Sequence, residues 1–327
     1  MKISPGITDI LMAARFLEGR VRRTPVERSG PLSDISGSDV LLKWENLQTC
    51  GSFKLRGALN KMYSLNDDEK RRGVITASSG NHAQGVAMAA QLLGVRAVIC
   101  VPGSCPGTKR DAIISRGAGM VDLKVIGRFY DEAEAEAKKI SGQEGLVYIS
   151  AYEDHHVVCG QGTLGLEFLL DVPDLDLLIV PISGGGLITG VATAARALRP
   201  GIEVIGVHAS TNPSWKAAWT EGSVVPVEES DSYADALSGA ASSVLFPLIR
   251  SLVSGVVDVS EREIARGIAF LHSRHHQVVE GAGAVGVASL LAGKVKCNGK
   301  RTGIVISGGN IGDQTVLKAI EEAGERF

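Results

Sequence analysis

From Gly73 onward the chain alternates short apolar runs with helical segments. "GVITAS" is followed by "NHAQGVAMAAQLLG", "VRAVICVP" by "GTKRDAIISRGA", "MVDLKVIG" by "DEAEAEAKKISGQ", and then comes "LVYISA". Runs rich in β-branched residues, separated by helices of about 10–15 residues, indicate βαβ units and a parallel sheet. No other feature narrows the fold as far, because parallel strands need crossovers that cover both faces of the sheet. A second series starts after Asp154. "HHVVCGQGTLGLEFLLD" reads as a helix, "LDLLIVPIS" as a buried strand, "LITGVATAARALR" as a helix and "IEVIGVHA" as a strand. A looser stretch runs to about Ser238, and "EREIARGIAFLHSRHH", "AGAVGVASLLAG", "TGIVISGGN" and "QTVLKAIEEAGE" close the chain as helix, helix, strand and helix. The expected fold is α/β, with two open, twisted, mainly parallel sheets carrying helices on both faces and meeting near Ala151–Asp154.

A chain of 327 residues, 44% apolar and 21% charged, can bury the core that two such layers need. A net charge of -2 and 5% aromatic residues give no basic or stacking surface, so neither nucleic acid nor an anionic membrane is an expected partner. No apolar run approaches bilayer length. The N-terminal "MKISPGITDILMAARFLEGR" reads as an amphipathic helix, without the apolar core and cleavage site of a signal peptide, so a cytoplasmic protein is expected. Five widely spaced cysteines imply no disulfide framework and fall at no zinc spacing. The doublets His155-His156 and His275-His276 lack the i, i+4 spacing of helical ligands, so surface or capping roles are expected and no metal site.

In open α/β sheets, ligands gather beyond the carboxyl ends of the strands. Three such ends are rich in glycine and hydroxyls. In "VPISGGGLITG" an apolar strand runs into Ser183-Gly184-Gly185-Gly186, and a helix follows at once. Backbone N–H groups converge there on a helix N-terminus, which makes a phosphate cradle. It is neither a P-loop, since no Lys-Ser/Thr pair follows, nor a dinucleotide fingerprint, since the third glycine position is Thr189. "TASSGNHAQGVA" brings Ser78, Ser79, Gly80, Asn81 and His82 to a helix start, a turn suited to a carboxylate or simply to capping. "IVISGGNIGD" is the third.

Lys54 sits in "TCGSFKLRGA", between Phe53 and Leu55 and flanked by Gly51 and Gly57. Alone it reads as a surface lysine covering apolar neighbours. Beside a phosphate cradle and a carboxylate turn it suggests a phosphorylated aldehyde held as an imine, which is pyridoxal phosphate chemistry. An amine with an ordinary pKa of about 10.4 must be desolvated to act as nucleophile and base near neutrality.

"ENLQTCGSFKLRGA", "SSGNHAQG", "SGGGLITG" and "SGGN" resemble, in order and across essentially the whole chain, the motif set of the serine/threonine dehydratase family. These enzymes have the tryptophan-synthase-β fold (fold type II), use pyridoxal phosphate and include the serine racemases. The resemblance implies that Lys54 carries the cofactor and Phe53 packs near its ring. It places the phosphate on Ser183, Gly184, Gly185, Gly186 and Leu187, with Asn81 on the ring hydroxyl and Ser307 facing the ring nitrogen. Ser78, Ser79, Asn81 and His82 would surround the carboxylate of a small amino-acid substrate. Residues 1–72 with 153–327 would form a large cofactor-binding domain, and 73–152 a small domain that closes over substrate. A homodimer is implied by likeness alone.

The implied reaction is β-elimination of water from a hydroxy-amino acid such as L-threonine or L-serine, giving a 2-oxo acid and ammonia, with Lys54 taking the Cα proton. Ser79 occupies the position that serves racemase relatives as acid/base on the opposite face of Cα, which leaves racemisation open. Three departures bear on substrate and cation. The position of a relative's cation ligand is His208, followed by Asn212 and Ser214, which disfavours a hard oxygen-ligand site. The family's "EP" is Glu280-Gly281, and its "ADG" is Ala234-Asp235-Ala236. Larger 3-hydroxy-amino acids, such as hydroxyaspartate or phenylserine, therefore stay in view. Competing readings are an amino-acid racemase, a non-catalytic amino-acid sensor and, weakened by the failed fingerprint, a nicotinamide oxidoreductase.

Overall fold

The computed structural model describes residues 3–324. Ten strands form two sheets. They are β1 (Val26–Arg28), β2 (Asp39–Trp44), β3 (Val74–Ala77), β4 (Ala97–Val101), β5 (Val121–Val125), β6 (Val147–Tyr148), β7 (Leu177–Pro181), β8 (Glu203–Ala209), β9 (Gly255–Val259) and β10 (Arg301–Ile306). The larger sheet has the order β1-β2-β10-β7-β8-β9, and the smaller β5-β4-β3-β6. Every pairing is parallel except β1 with β2. The mainly parallel α/β architecture expected from the alternating pattern is the one observed.

Seven strands coincide with runs read from the sequence. The other three do not stand out there. β2 carries the fully buried Lys43 within "DVLLKW", and the edge strand β9 is only half-buried over most of its length. The helices Ser214–Glu221 and Phe246–Leu252 also fall in stretches that the periodicity leaves unassigned.

The strands of the small sheet and helix Asn81–Leu93 share an apolar cluster with Leu55, Leu59 and Met62 from helix Lys54–Tyr63. That helix also packs on helix His155–Asp171. The first turn of helix Lys54–Tyr63 is thereby clamped between the two sheet layers. Close approach of the supporting helices depends on missing side chains. A Cβ at Gly190 would lie 2.4 Å from the Val158 carbonyl oxygen, and one at Gly160 would lie 2.5 Å from that of Arg56.

A buried charge cluster fixes the same helix. Arg56, fully buried, donates to Glu45 at 2.8 and 2.9 Å and to Glu167 at 2.7 and 2.9 Å. Lys43 completes the set with a 2.9 Å bond to Glu167. Two cations meet two carboxylates, so the cluster is neutral and its donors are satisfied. Removing one member of a buried pair strands the others' charge. Arg56→Ala should therefore lower unfolding stability by roughly 3–5 kcal/mol in urea titrations, whereas Arg71→Ala, at an exposed surface pair with Asp68, should leave it unchanged.

Candidate active site

The carboxyl ends of β7 and β10, the start of helix Lys54–Tyr63 and the turn after β3 converge on one cavity. Phe53, Lys54, Asn81, Tyr152, Ser183, Gly184, Gly185, Gly186, Leu187 and Ser307 all line it. It opens into an outer cleft of about 550 Å³, whose walls include Ser78, Ser79, Gly80, Asn81 and His82. Every sequence-derived site residue therefore belongs to one connected space, although Lys54 and Ser307 lie far apart in the chain.

Lys54 Nζ donates to the Ala151 carbonyl at 3.1 Å and sits 5.3 Å from the Phe53 ring centroid. Burial pulls its pKa down to about 8, against a partial rise from the Glu280 carboxylate. At pH 7 that leaves about one amine in ten unprotonated, where an ordinary lysine has about one in 2,500. The amine is a nucleophile in waiting.

The triple-glycine turn fits an anion. Gly185 has φ +100°, a left-handed value that favours glycine, and it caps helix Gly186–Leu198. A Cβ at Gly184 would meet the Tyr152 ring at 2.4 Å, and one at Gly186 would lie 2.9 Å from Tyr152 Cα. Side chains would fill the cradle, and their absence leaves backbone N–H groups exposed to the cavity. The Ser183 carbonyl is held by the Trp215 indole N–H, and its hydroxyl donates to the Ser238 carbonyl at 3.2 Å. A desolvated amine, an anion cradle and the Ser307 hydroxyl in one cavity fit the aldehyde, phosphate and ring of pyridoxal phosphate.

The SSGNH turn differs in detail from a set of side chains aimed at a carboxylate. His82 is buried, and its Nε2–H donates to the Ile149 carbonyl at 3.1 Å. Burial and the nearby Lys54 charge push its pKa down to about 3, so the ring is neutral. What His82 can offer a carboxylate is its backbone N–H at the helix start, next to the hydroxyls of Ser78 and Ser79. Asn81 is held at both ends. Its Nδ2 donates to Glu280 Oε1 at 2.7 Å, and its Oδ1 accepts from Asn310 Nδ2 at 2.7 Å. One N–H and one lone pair remain for a ligand.

Glu280, Asn310 and Tyr152 are site residues that sequence reasoning did not single out for these roles. Glu280 is buried, and burial together with the Asp235 carboxylate pushes its pKa up to about 8. The backbone gives a signal in hindsight. A Cβ at Gly308 would meet Glu280 Oε1 at 2.3 Å, so the glycine of "SGGN" makes room for this carboxyl group. Across the outer cleft, Lys109 from the small-sheet side pairs with Asp235 at 2.9 Å.

A desolvated lysine opposite a glycine anion cradle, at the strand ends of two α/β layers, defines an enzyme that works through an imine to a phosphorylated cofactor. A family model described as pyridoxal-phosphate dependent enzyme matches residues 17–308. An L-threonine ammonia-lyase of Thermotoga maritima is 41% identical over 325 residues, 98% of this chain and 80% of that one. The catabolic L-threonine dehydratase TdcB of Escherichia coli is 39% identical over 93% of each chain. Among solved structures, maize serine racemase superposes with a TM-score of 0.91 at 32% identity, covering 97% of both chains. A processed threonine deaminase isoform from Solanum lycopersicum gives 0.90 at 33%, over 99% of this chain and 96% of that one. The chain belongs to the pyridoxal-phosphate-dependent enzymes, in their serine/threonine dehydratase family, and has fold type II.

In cofactor-free protein, Lys54 should react with trinitrobenzenesulfonate along a titration curve centred near pH 8, against about 10.4 for ordinary lysines. Glu280→Gln removes the carboxylate that supports the ammonium and should shift that curve to lower pH. A midpoint above 10 in the parent would contradict the desolvated setting.

Proposed function

We propose that this chain is a threonine/serine dehydratase, an ammonia-lyase that eliminates water from L-threonine or L-serine to give a 2-oxo acid and ammonia. The observation that carries the reading is the desolvated Lys54 amine in one cavity with the triple-glycine cradle. Relatives named for threonine, about 40% identical over nearly the whole chain, support the substrate class. Lys54 would hold the cofactor, the Ser183–Leu187 turn would hold its phosphate, and Phe53, Asn81 and Ser307 would border its ring. When bound, pyridoxal phosphate supplies an aldehyde for the substrate amine and a ring that draws electrons from Cα.

The chain's own residues do the rest. Ser78, Ser79 and the N–H groups at Asn81 and His82 hold the substrate carboxylate. That fixes the Cα–H bond toward Lys54 Nζ, which takes the proton as a neutral amine. Ser307 would offer the ring nitrogen a neutral hydroxyl, which would protonate it less firmly than an aspartate would. Loss of the β-hydroxyl is then favoured over slower chemistry at Cα. Closure of residues 73–152 over the rest of the chain excludes water during the reaction. Family likeness also supports a homodimer in the cytoplasm.

Ser79 on the cleft wall supports a second activity. A hydroxyl on the face of Cα opposite Lys54 can return a proton there, and the fold neighbours include a serine racemase.

Lys54→Ala should lose the visible absorbance of bound cofactor and at least about a thousandfold in kcat/KM for L-threonine; activity retained in that variant would end the assignment. Ser79→Ala, which leaves Ser78 and the helix-start N–H groups to hold the carboxylate, should keep L-threonine elimination within about threefold while serine racemisation falls at least about tenfold. Chiral chromatography alongside 2-oxo acid release reads both.

A further inference from the structure

Outside the catalytic cavity, three side chains meet between helices Ile7–Leu17 and His155–Asp171. His155 Nε2 lies 3.7 Å from Asp9 Oδ2 and 3.6 Å from Cys159 Sγ. All three ligand atoms fall within 4.8 Å of one another. The adjacent histidines of the His155-His156 doublet cannot share a ligand, but His155 and Cys159 stand at i and i+4 on one helix face.

Hydrogen bonding serves this group weakly. At 3.7 Å the Nε2–Oδ2 contact is longer than a normal N–H···O bond, and the contact to Cys159 Sγ at 3.6 Å involves a weak donor and weak acceptor. A cation at the centre satisfies all three donors together. Bonds of about 2.0–2.3 Å from oxygen, nitrogen and sulfur to tetrahedral zinc set ligand separations of about 3.3–3.8 Å; both His155 separations fall in that range, and the Asp9–Cys159 separation, within 4.8 Å, closes to it by rotation of the exposed Asp9 side chain.

The donors are also restrained. Asp9 Oδ2 accepts the Gly6 N–H at 2.9 Å, and the His156 ring meets the His155 ring edge-on with centroids 5.4 Å apart. Cys159 is buried, His155 half-buried and Asp9 exposed, so a fourth position faces solvent.

We propose that Asp9, His155 and Cys159 form a divalent-cation site of zinc type, completed by water. Thiolate and imidazole together select zinc over magnesium or calcium. On binding, Cys159 gives up its thiol proton to solvent and coordinates as thiolate. The ion ties helix Ile7–Leu17 to helix His155–Asp171, which begins immediately after the site wall at Ala151 and Tyr152. Its role is a clamp on the scaffold and not a step of the elimination.

The test uses holoenzyme stripped with a chelator and then dialysed against zinc ions alone. One zinc per chain should bind at low micromolar free metal, and the thermal midpoint should rise with it. Cys159→Ser and His155→Ala should each weaken binding by at least the roughly 10–100-fold that loss of an outer-shell partner costs and remove the thermal shift. Asp9→Asn, a surface change that cannot empty the core, should weaken it in the same direction. Urea midpoints and cofactor absorbance verify that the variants fold, and metal-free L-threonine elimination should match the parent's. Zinc affinity unchanged in folded variants, or no binding by the parent at about a hundredfold higher metal, would overturn the site.

Discussion

The buried ion cluster around Arg56 is the constraint on which the rest of the molecule depends. A guanidinium taken out of water costs several kcal/mol unless its hydrogen bonds are made and its charge is matched. Here Glu45 and Glu167 do both, and Lys43 balances the second carboxylate. The four groups come from β2, the turn after it, helix Lys54–Tyr63 and helix His155–Asp171. Their mutual satisfaction sets one position for these elements and excludes small slips between them, because any slip would leave an unpaired buried charge. Lys54 lies two residues from Arg56 in the same first turn. The reactive amine is thus held by a network that does not touch the substrate space.

Glycine acts on the opposite wall in a complementary way. Where Arg56 fixes position by attraction, Gly160 and Gly190 permit it by leaving out atoms, so that helix His155–Asp171 lies against both the lysine helix and the helix behind the cradle. The same helix thereby sets both ends of the cavity. Tyr152 shows how tight the outcome is. Its ring lies where a Cβ at Gly184 would project, so the cradle is closed on one side by an aromatic face.

The parts legible in the sequence share a physical reason. Fully buried parallel strands need long β-branched runs, and turns that bind anions need glycine. Both requirements act over a few adjacent residues, which is why β3, β4, β7, β8, β10 and the three turns could be read directly; the half-buried β5 and β6 were read from their place in the same strand–helix alternation. Lys54 was legible only through those turns. Glu280 and Asn310 were not, because what matters about them is a chain of hydrogen bonds to Asn81, some two hundred residues away in sequence. β2 was hidden for a related reason, since Lys43 interrupts its apolar pattern and is tolerated through Glu167 and the Thr24 carbonyl.

Charge in the catalytic cavity follows from burial. Lys54 is driven toward its neutral form and Glu280 toward its protonated form, both titrating near pH 8. For Glu280 the raised value means that the folded protein binds a proton the unfolded chain releases near pH 4.5. Its contribution to stability is therefore full below pH 4.5, is lost progressively as pH rises from 4.5 to 8, and changes no further above 8. A protonated Glu280 can accept from Asn81 through its carbonyl oxygen and still donate from its hydroxyl. His82 is neutral as well, and Glu280 brings its supporting charge to Lys54 as pH approaches 8. A cofactor carrying a doubly anionic phosphate then finds its counterpart in the glycine turn and the helix behind it, so the polarity of the backbone orients it.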